Sequence, residues 1–145
     1  MLFRSAAVAP AFFIASGSYV LATHSTNAGC EASGLPFCLV GPTSLYPGAS
    51  LPAAGGETII LYADGLGPIV PPVIKGSLTQ TGPLPTKPII SIANNPVTVT
   101  FAGLISPGLY QFNIVVPQGT PSGNDFISIS YDSVVSALGP QIAIQ

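Results

Sequence analysis

The sequence predicts an all-β, antiparallel sandwich of about seven strands, preceded by an N-terminal extension that holds a strand and a loop. Three observations support this prediction. Charged residues make up only 6% of the chain, whereas Gly and Pro each occur 16 times in 145 residues. Short segments alternate between apolar and polar residues, and Gly, Pro or Asn separates them. Apolar residues nowhere keep a helical period of 3.6, so no long helix is expected.

The same composition excludes several classes of partner. Three basic residues cannot neutralise the phosphates of a nucleic acid, so no nucleic-acid partner is expected. A hydrophobic share of 48% with a net charge of −2 argues against a disordered chain. Pro10 and Gly17 interrupt the apolar N-terminal segment, which is also too short for a bilayer, so no membrane span is predicted.

The first residues need a separate interpretation. Met1 to Ser5 matches what the end of a common sequencing-adapter oligonucleotide would encode, which predicts a non-native leader over residues 1–5. The alternative is a secretory signal with Arg4 at its basic end, although no clear cleavage site follows. After this leader we expect a lead-in segment over residues 6–54, with a strand and a Cys-bearing loop. The sandwich domain is expected over residues 55–145.

The predicted strands are short and end at turn residues. In chain order they cover residues 19–24, 37–40, 57–63, 88–93, 97–101, 109–116, 126–131, 134–137 and 141–144. The segment 57–63 is apolar on both faces, with Ile59 and Leu61 on one side and Ile60 and Tyr62 on the other. That pattern predicts a central strand covered on both faces.

Later segments alternate more regularly. Tyr110, Phe112 and Ile114 share one face of their strand and are predicted to lie in the core. Phe101 and Tyr62 are assigned to the core on the same grounds. The stretch Asn94–Pro96 predicts a hairpin turn, because Asn tolerates a positive φ.

Gly65 and Gly67 follow the strand over 57–63 and look like the start of a dinucleotide-binding fingerprint. Val70 replaces its third Gly, and Pro68 and Pro71 prevent the helix that would hold a phosphate. The pair therefore predicts a tight turn that leaves a core strand, and no cofactor is expected.

Three stretches together resemble a known family. They are GETIILYADGLGP at 56–68, PGLYQFNIVVP at 107–117 and FISISYDSVVS at 126–136. They are similar to the Solibacter-type uncharacterised C-terminal domain, and the likeness extends over about residues 8–145. The resemblance implies an Ig-like (or IPT-like) sandwich at the end of large secreted proteins of Acidobacteria. The chain departs from the pattern at Asn94-Asn95 and in the insertion over 27–38, and the family offers no catalytic residues to carry over.

Cys30 and Cys38 enclose a seven-residue loop. In a secreted module these two cysteines predict a disulfide, which would add about 2 kcal/mol of stability. The alternatives are two free thiols or a metal site. A metal site is disfavoured because His24 is the only nitrogen ligand in the chain and the spacing matches no zinc signature.

Titratable residues are too scattered to predict a catalytic site. Glu57 and Asp64 bracket one predicted strand, and Asp125 and Asp132 bracket another, so each pair lies roughly 23 Å apart. The lone His24 has no nucleophile elbow and is interpreted as structural. No catalytic, cofactor-binding or metal-ligating residue is therefore assigned.

These observations lead to one expected function and two alternatives. We expect a non-catalytic extracellular or cell-surface module that contacts neighbouring domains of its own polypeptide, and a surface polysaccharide or protein ligand is a further partner to test. The first alternative is a carbohydrate-binding accessory module of a secreted hydrolase, for which Tyr46 is the one aromatic residue in a loop. The second is a self-assembling surface-fibre subunit.

Overall fold

The computed structural model describes residues 8–77 and 79–145, so the predicted leader over residues 1–5 lies outside the described residues. The described chain is all-β, with one short 3₁₀ turn at Glu31–Ser33. Its strands are β1 (Ala11–Phe12), β2 (Ile14–Ser16), β3 (Tyr19–Val20), β4 (Ala22–His24), β5 (Leu39–Val40), β6 (Ser50–Leu51), β7 (Thr58–Asp64), β8 (Gly82–Pro83), β9 (Ile89–Ile92), β10 (Asn95–Pro96), β11 (Thr98–Ser106), β12 (Leu109–Val115), β13 (Gly123–Tyr131), β14 (Val134–Val135) and β15 (Gln141–Ile144). None of the described helices has the length and hydropathy needed to cross a membrane.

The strands form two sheets. The first sheet has eight strands in the order β6-β5-β4-β7-β12-β11-β8, with β1 pairing to β7. The second has seven strands in the order β10-β9-β13-β15-β3-β2, with β14 pairing to β13. The predicted β-sandwich is therefore present, and β7 is central in the first sheet as the sequence predicted.

Two details of the predicted sandwich need correction. The expectation of a wholly antiparallel arrangement is wrong, because β5 pairs with β6 in parallel and β15 pairs with β3 in parallel. The strand number is also higher than about seven. Several strands, β1, β6 and β8 among them, contain only two residues, which is too short for an alternating pattern to be visible in the sequence.

The described part of the lead-in segment, residues 8–54, forms part of the sandwich. Its strand β4 pairs with β7, where Ala22 lies opposite Leu61. Its strand β3 pairs with β15 of the second sheet. Val20, Ala22, Val40 and Ala53 are buried in the same core as the strands that follow. The boundary expected near residue 54 thus does not separate two packing units.

The core lies between the two sheets. Ile59, Leu61, Phe112 and Ile114 are fully buried on the inner face of the first sheet, and Tyr110 is nearly so. Residues of the second sheet, notably Ile90, Ile92, Ile127, Ile129 and Ile142, complete this cluster. Because each strand turns alternate side chains inward, the predicted apolar faces of β7 and β12 become the inner face.

Two predicted core residues are instead on the outer face. Phe101 is 37% exposed because a β-bulge at Thr100 inserts one extra residue, so that Val99 faces Ile114 and Phe101 faces Asn113. Ala102 takes the inner position in its place. Tyr62 is only half-buried, because β7 turns it away from the core.

Two hairpin turns have the same backbone conformation. Ala93 and Asn94 both have positive φ (51° and 64°), as do Asp132 and Ser133. Two such residues in a two-residue loop are typical of a type I′ turn, which matches the twist of paired strands. The hairpin predicted at Asn94–Pro96 therefore forms one residue earlier, because Asn95 already pairs with Ile92.

Candidate functional site

Polar and titratable side chains collect at the two ends of β7. The start of β7 faces His24, Glu57 and the cysteine pair, which we call the closed end. Beyond the last residue of β7 lie the turn of Gly65 and Gly67 and two clefts, which we call the open end. The two ends differ in how completely their polar groups are bonded.

His24 and Glu57 form the centre of the closed end. His24 Nδ1 lies 2.5 Å from Glu57 Oε1, and His24 Nε2 lies 2.9 Å from the main-chain oxygen of Leu51. The other oxygen of Glu57 accepts a hydrogen bond from the Ala54 N–H at 3.0 Å. The His24 and Glu57 side chains are only 12% and 28% exposed. The network thus ties β4 and the segment over residues 51–54 to the start of β7.

The hydrogen-bond donors and acceptors around His24 and Glu57 limit what this pair can do. A carbonyl oxygen only accepts, and so does an ionised carboxylate. The Leu51 oxygen therefore accepts from an N–H at His24 Nε2, and Nδ1 bonds the Glu57 carboxyl group. With both nitrogens engaged, the ring has no free position for a nucleophile, and the pair acts as a clamp between strands.

The cysteine pair lies directly beside this clamp. Cys30 and Cys38 form the predicted disulfide, with their Cα atoms 5.5 Å apart, and both residues are buried. The carbonyl of Cys38 accepts a hydrogen bond from the His24 main-chain N–H at 2.9 Å. The bridge therefore fixes the loop that flanks His24. Neither cysteine is available as a metal ligand.

At the open end, Gly65 and Gly67 make the predicted tight turn. Both have positive φ, 76° and 78°, which glycine adopts without a Cβ clash. The Tyr110 hydroxyl donates a hydrogen bond to the main-chain oxygen of Gly67 and so holds the turn against β12. Burial raises the pKa of the Tyr110 phenol, and the neighbouring Tyr131 phenol raises this pKa further.

Two clefts flank this turn and share Pro68 as a wall. The first, of about 310 Å³, is lined by the Tyr110 ring, Gln80 and apolar residues of the segment over 67–73. The second, of about 360 Å³, lies between that turn, the segment over 85–86 and the end of β13. Its lining residues are Val8, Leu66, Pro68, Pro85, Thr86, Tyr131 and Asp132. Of these two clefts, only the second has a carboxylate in its lining.

The outer face of the second sheet carries a third feature. Phe126 and Val135 are each 62% exposed, and Leu138 is 94% exposed. These three residues line a shallow cleft of about 200 Å³ together with Asn94 and Ser128. An exposed apolar group of this kind is typical of a contact surface.

The structure shows where the carboxylates and the loop tyrosine noted in the sequence lie. Glu57 and Asp64 lie at opposite ends of β7, and Asp125 and Asp132 at opposite ends of β13, so neither pair can act together. Tyr46 is 40% exposed, and its hydroxyl donates to the Ala15 carbonyl at 3.4 Å. Among residues 8–77 and 79–145 there is no cluster of three or more His, Cys, Asp or Glu that could hold a metal.

The sequence alone does not identify the partner of His24 or the cleft that contains Asp132. The contact between His24 and Glu57 depends on the pairing of β4 with β7, which joins residues 33 positions apart. The cleft depends on three distant segments meeting behind Pro68. The only local signal was Asp132 itself, which stands at the predicted turn after the strand that ends in Tyr131.

The fold and the bonded closed end define a disulfide-linked all-β sandwich protein. No family model, no curated protein and no solved structure matches the chain.

Proposed function

We propose that the chain is a non-catalytic, extracellular, immunoglobulin-like module that serves as a structural or interaction domain of a larger secreted or cell-surface protein. One observation carries the non-catalytic part. His24 and Glu57 are hydrogen-bonded to each other, and both ring nitrogens of His24 are already bonded. A general base needs a free nitrogen within reach of its nucleophile, and this ring offers none.

The disulfide supports the extracellular part of the proposal. Structural disulfides form and persist in oxidising compartments, and the cytosol keeps thiols reduced. Both sulfurs are buried, so the bridge belongs to the packed structure and not to an exposed redox pair. The sparse charge agrees with outer faces built from Ser, Thr, Asn and Gln, as in Ser91, Gln111 and Ser128.

The test compares the wild-type chain with His24→Ala on ester, glycoside and peptide reporter substrates. We expect no turnover above background by either protein. Hydrolysis by the wild type that disappears in His24→Ala would refute the non-catalytic proposal. A thiol count on denatured, oxidised protein should find no free thiol, and two free thiols would remove the support for an extracellular location.

The exposed apolar face of the second sheet favours a second candidate, self-association of the module. Phe126, Val135 and Leu138 present apolar side chains with no charged residue in the cleft they line. Sedimentation velocity over a range of concentrations tests this candidate. Leu138→Asn should abolish any association, whereas Leu35→Asn, at an exposed leucine in the disulfide loop, should leave it unchanged. A strictly monomeric wild type would exclude the candidate.

A further inference from the structure

The cleft beside Pro68 at the open end has polar groups without partners inside the described chain. Tyr131 is only 8% exposed and lines the cleft, and its hydroxyl makes no hydrogen bond with any residue in 8–77 or 79–145. A tyrosine hydroxyl can both donate and accept a hydrogen bond. An unbonded hydroxyl on a residue that lines a cleft is therefore a position where a ligand can bond.

Two more oxygen-bearing side chains line the same cleft. Asp132 follows Tyr131 directly, and its positive φ of 51° is fixed by the type I′ turn. Thr86 contributes a hydroxyl from the opposite segment. Neither side chain forms a hydrogen bond with the described residues. The remaining lining is apolar, with Val8 and Leu66 buried at the base and Pro68 and Pro85 exposed at the rim.

Within residues 8–77 and 79–145, no basic side chain lines the cleft. Among the described residues, Asp132 is the only charged one in the cleft lining, and it forms no ion pair with Lys87, which follows Thr86 in the sequence. Lys87 itself is exposed and does not line the cleft. The cleft thus combines a single negative charge, two hydroxyls and an apolar base.

We propose that this cleft binds a primary alkylammonium group, either the side chain of a lysine on a partner protein or a free aliphatic amine. An ammonium has three N–H donors, and the Asp132 carboxylate, the Tyr131 hydroxyl and the Thr86 hydroxyl offer three acceptors. A short aliphatic stem would lie against the apolar base, as lysine stems do on apolar surfaces. A volume of about 360 Å³ is at the small end for ligand pockets, which suits one such group.

The inference rests on the proposed role of the chain as an interaction module, since it names the chemistry that one surface of that module would recognise. The two proposals nevertheless fail separately. If no amine binds, the result of the hydrolysis test with His24→Ala is unaffected. If His24 supports hydrolysis, the binding of an amine at the open end is unaffected.

The experiment follows main-chain amide NMR shifts of the 145-residue chain during titration with n-butylammonium, whose carbon stem equals that of lysine. n-Butanol, which is neutral but equally long, is the matched probe. We expect saturable shifts at residues 86 and 131–132 with the amine and not with the alcohol. Raising the ionic strength should weaken the binding, because the attraction to Asp132 is electrostatic.

Matched variants separate the site from general charge effects. Asp132→Asn keeps a residue that tolerates left-handed φ, so the turn should fold, and the affinity should drop about tenfold or more. Asp64→Asn removes an exposed carboxylate at the end of β7 that does not line the cleft, and it should change affinity less than about twofold. Tyr131→Phe should weaken binding while keeping the buried ring.

The results of these titrations test the proposal and show whether the amine belongs to a protein lysine or to a free molecule. Absence of saturable shifts with the amine, equal binding of butanol, or equal loss in Asp132→Asn and Asp64→Asn would each overturn it. If Nα-acetyl-lysine methylamide binds at least as tightly as n-butylammonium, the group belongs to a protein lysine. If it binds much more weakly, the cleft selects a free amine.

Discussion

At the closed end of β7, His24 and Glu57 bond to each other and to main-chain groups of Leu51 and Ala54. At the open end, Tyr131 and Asp132 line a cleft. At the closed end the half-buried polar groups are bonded within the chain. At the open end the Tyr110 hydroxyl is bonded to Gly67, whereas the side chains of Tyr131 and the exposed Asp132 form no hydrogen bond with the described residues. The bonded groups of the closed end contribute stability, whereas the unbonded groups of the open end are where we propose that a ligand binds.

Removing the clamp should have the largest effect on stability. His24→Ala deletes two hydrogen bonds and leaves the half-buried Glu57 carboxylate with only the Ala54 N–H. We expect the free energy of unfolding to fall by about 3 kcal/mol, measured by urea denaturation. Thr23→Ala, on the same strand but outside the network, is the control and should cost about 1 kcal/mol or less. A comparable loss in both variants would show that His24 acts only through its packing.

Removing the disulfide should have the next largest effect. The double variant Cys30→Ser/Cys38→Ser should lose about 2 kcal/mol of unfolding free energy, because the unfolded chain regains the entropy of the closed loop. Reductant should lower the stability of the wild type by a similar amount and leave the variant unchanged. Equal stability of the oxidised wild type and the variant would contradict a stabilising role of the bridge.

The two tyrosines of the open end provide a matched pair. Tyr110→Phe removes the hydrogen bond to the Gly67 carbonyl and should cost about 1 kcal/mol. Tyr131→Phe removes a hydroxyl that has no partner among the described residues, so its cost should stay below about 0.5 kcal/mol. Thermal denaturation of the two variants side by side checks the difference. A larger loss in Tyr131→Phe would mean that its hydroxyl is bonded within the folded chain.

Alkaline pH should lower the free energy of unfolding through Tyr110, with a smaller effect than the substitutions above. Burial and the nearby Tyr131 raise the pKa of Tyr110 above its ordinary value of 10.0. The unfolded chain therefore loses this proton first as the pH rises, so the contribution is complete below pH 10 and declines above it. The unfolding free energy of the wild type should fall above pH 10 more steeply than that of Tyr110→Phe. Identical slopes would contradict the raised pKa.

The sequence was sufficient for those parts of the fold that depend on local patterns. The alternation in β7 and β12 predicted the buried positions of Ile59, Leu61, Phe112 and Ile114, and Gly65 and Gly67 predicted their turn. The pattern failed at Phe101 because a bulge adds one residue, and a change of one residue reverses the face of every side chain that follows.

The two sites could not be predicted from local sequence patterns, because they depend on contacts between residues that are distant in the sequence. The partner of His24 is set by the pairing of β4 with β7, and nothing near His24 in the sequence identifies Glu57. The cleft of Tyr131 and Asp132 requires segments near residues 8, 66 and 86 to meet, and such contacts follow from packing alone. The cysteine pair was predictable because its eight-residue separation is itself local.

The parallel pairing of β3 with β15 has a consequence for how the chain reaches its fold. A hydrogen bond from Ser18 to Gln141 joins residues 123 positions apart, and the Gln141 N–H donates to the Ser18 carbonyl. Closing a loop of that length is entropically costly before any contact rewards it, so folding should be slow compared with a helical chain of equal size. During synthesis on the ribosome, β3 can pair with β15 only after β15 has emerged, so this part of the second sheet is completed last.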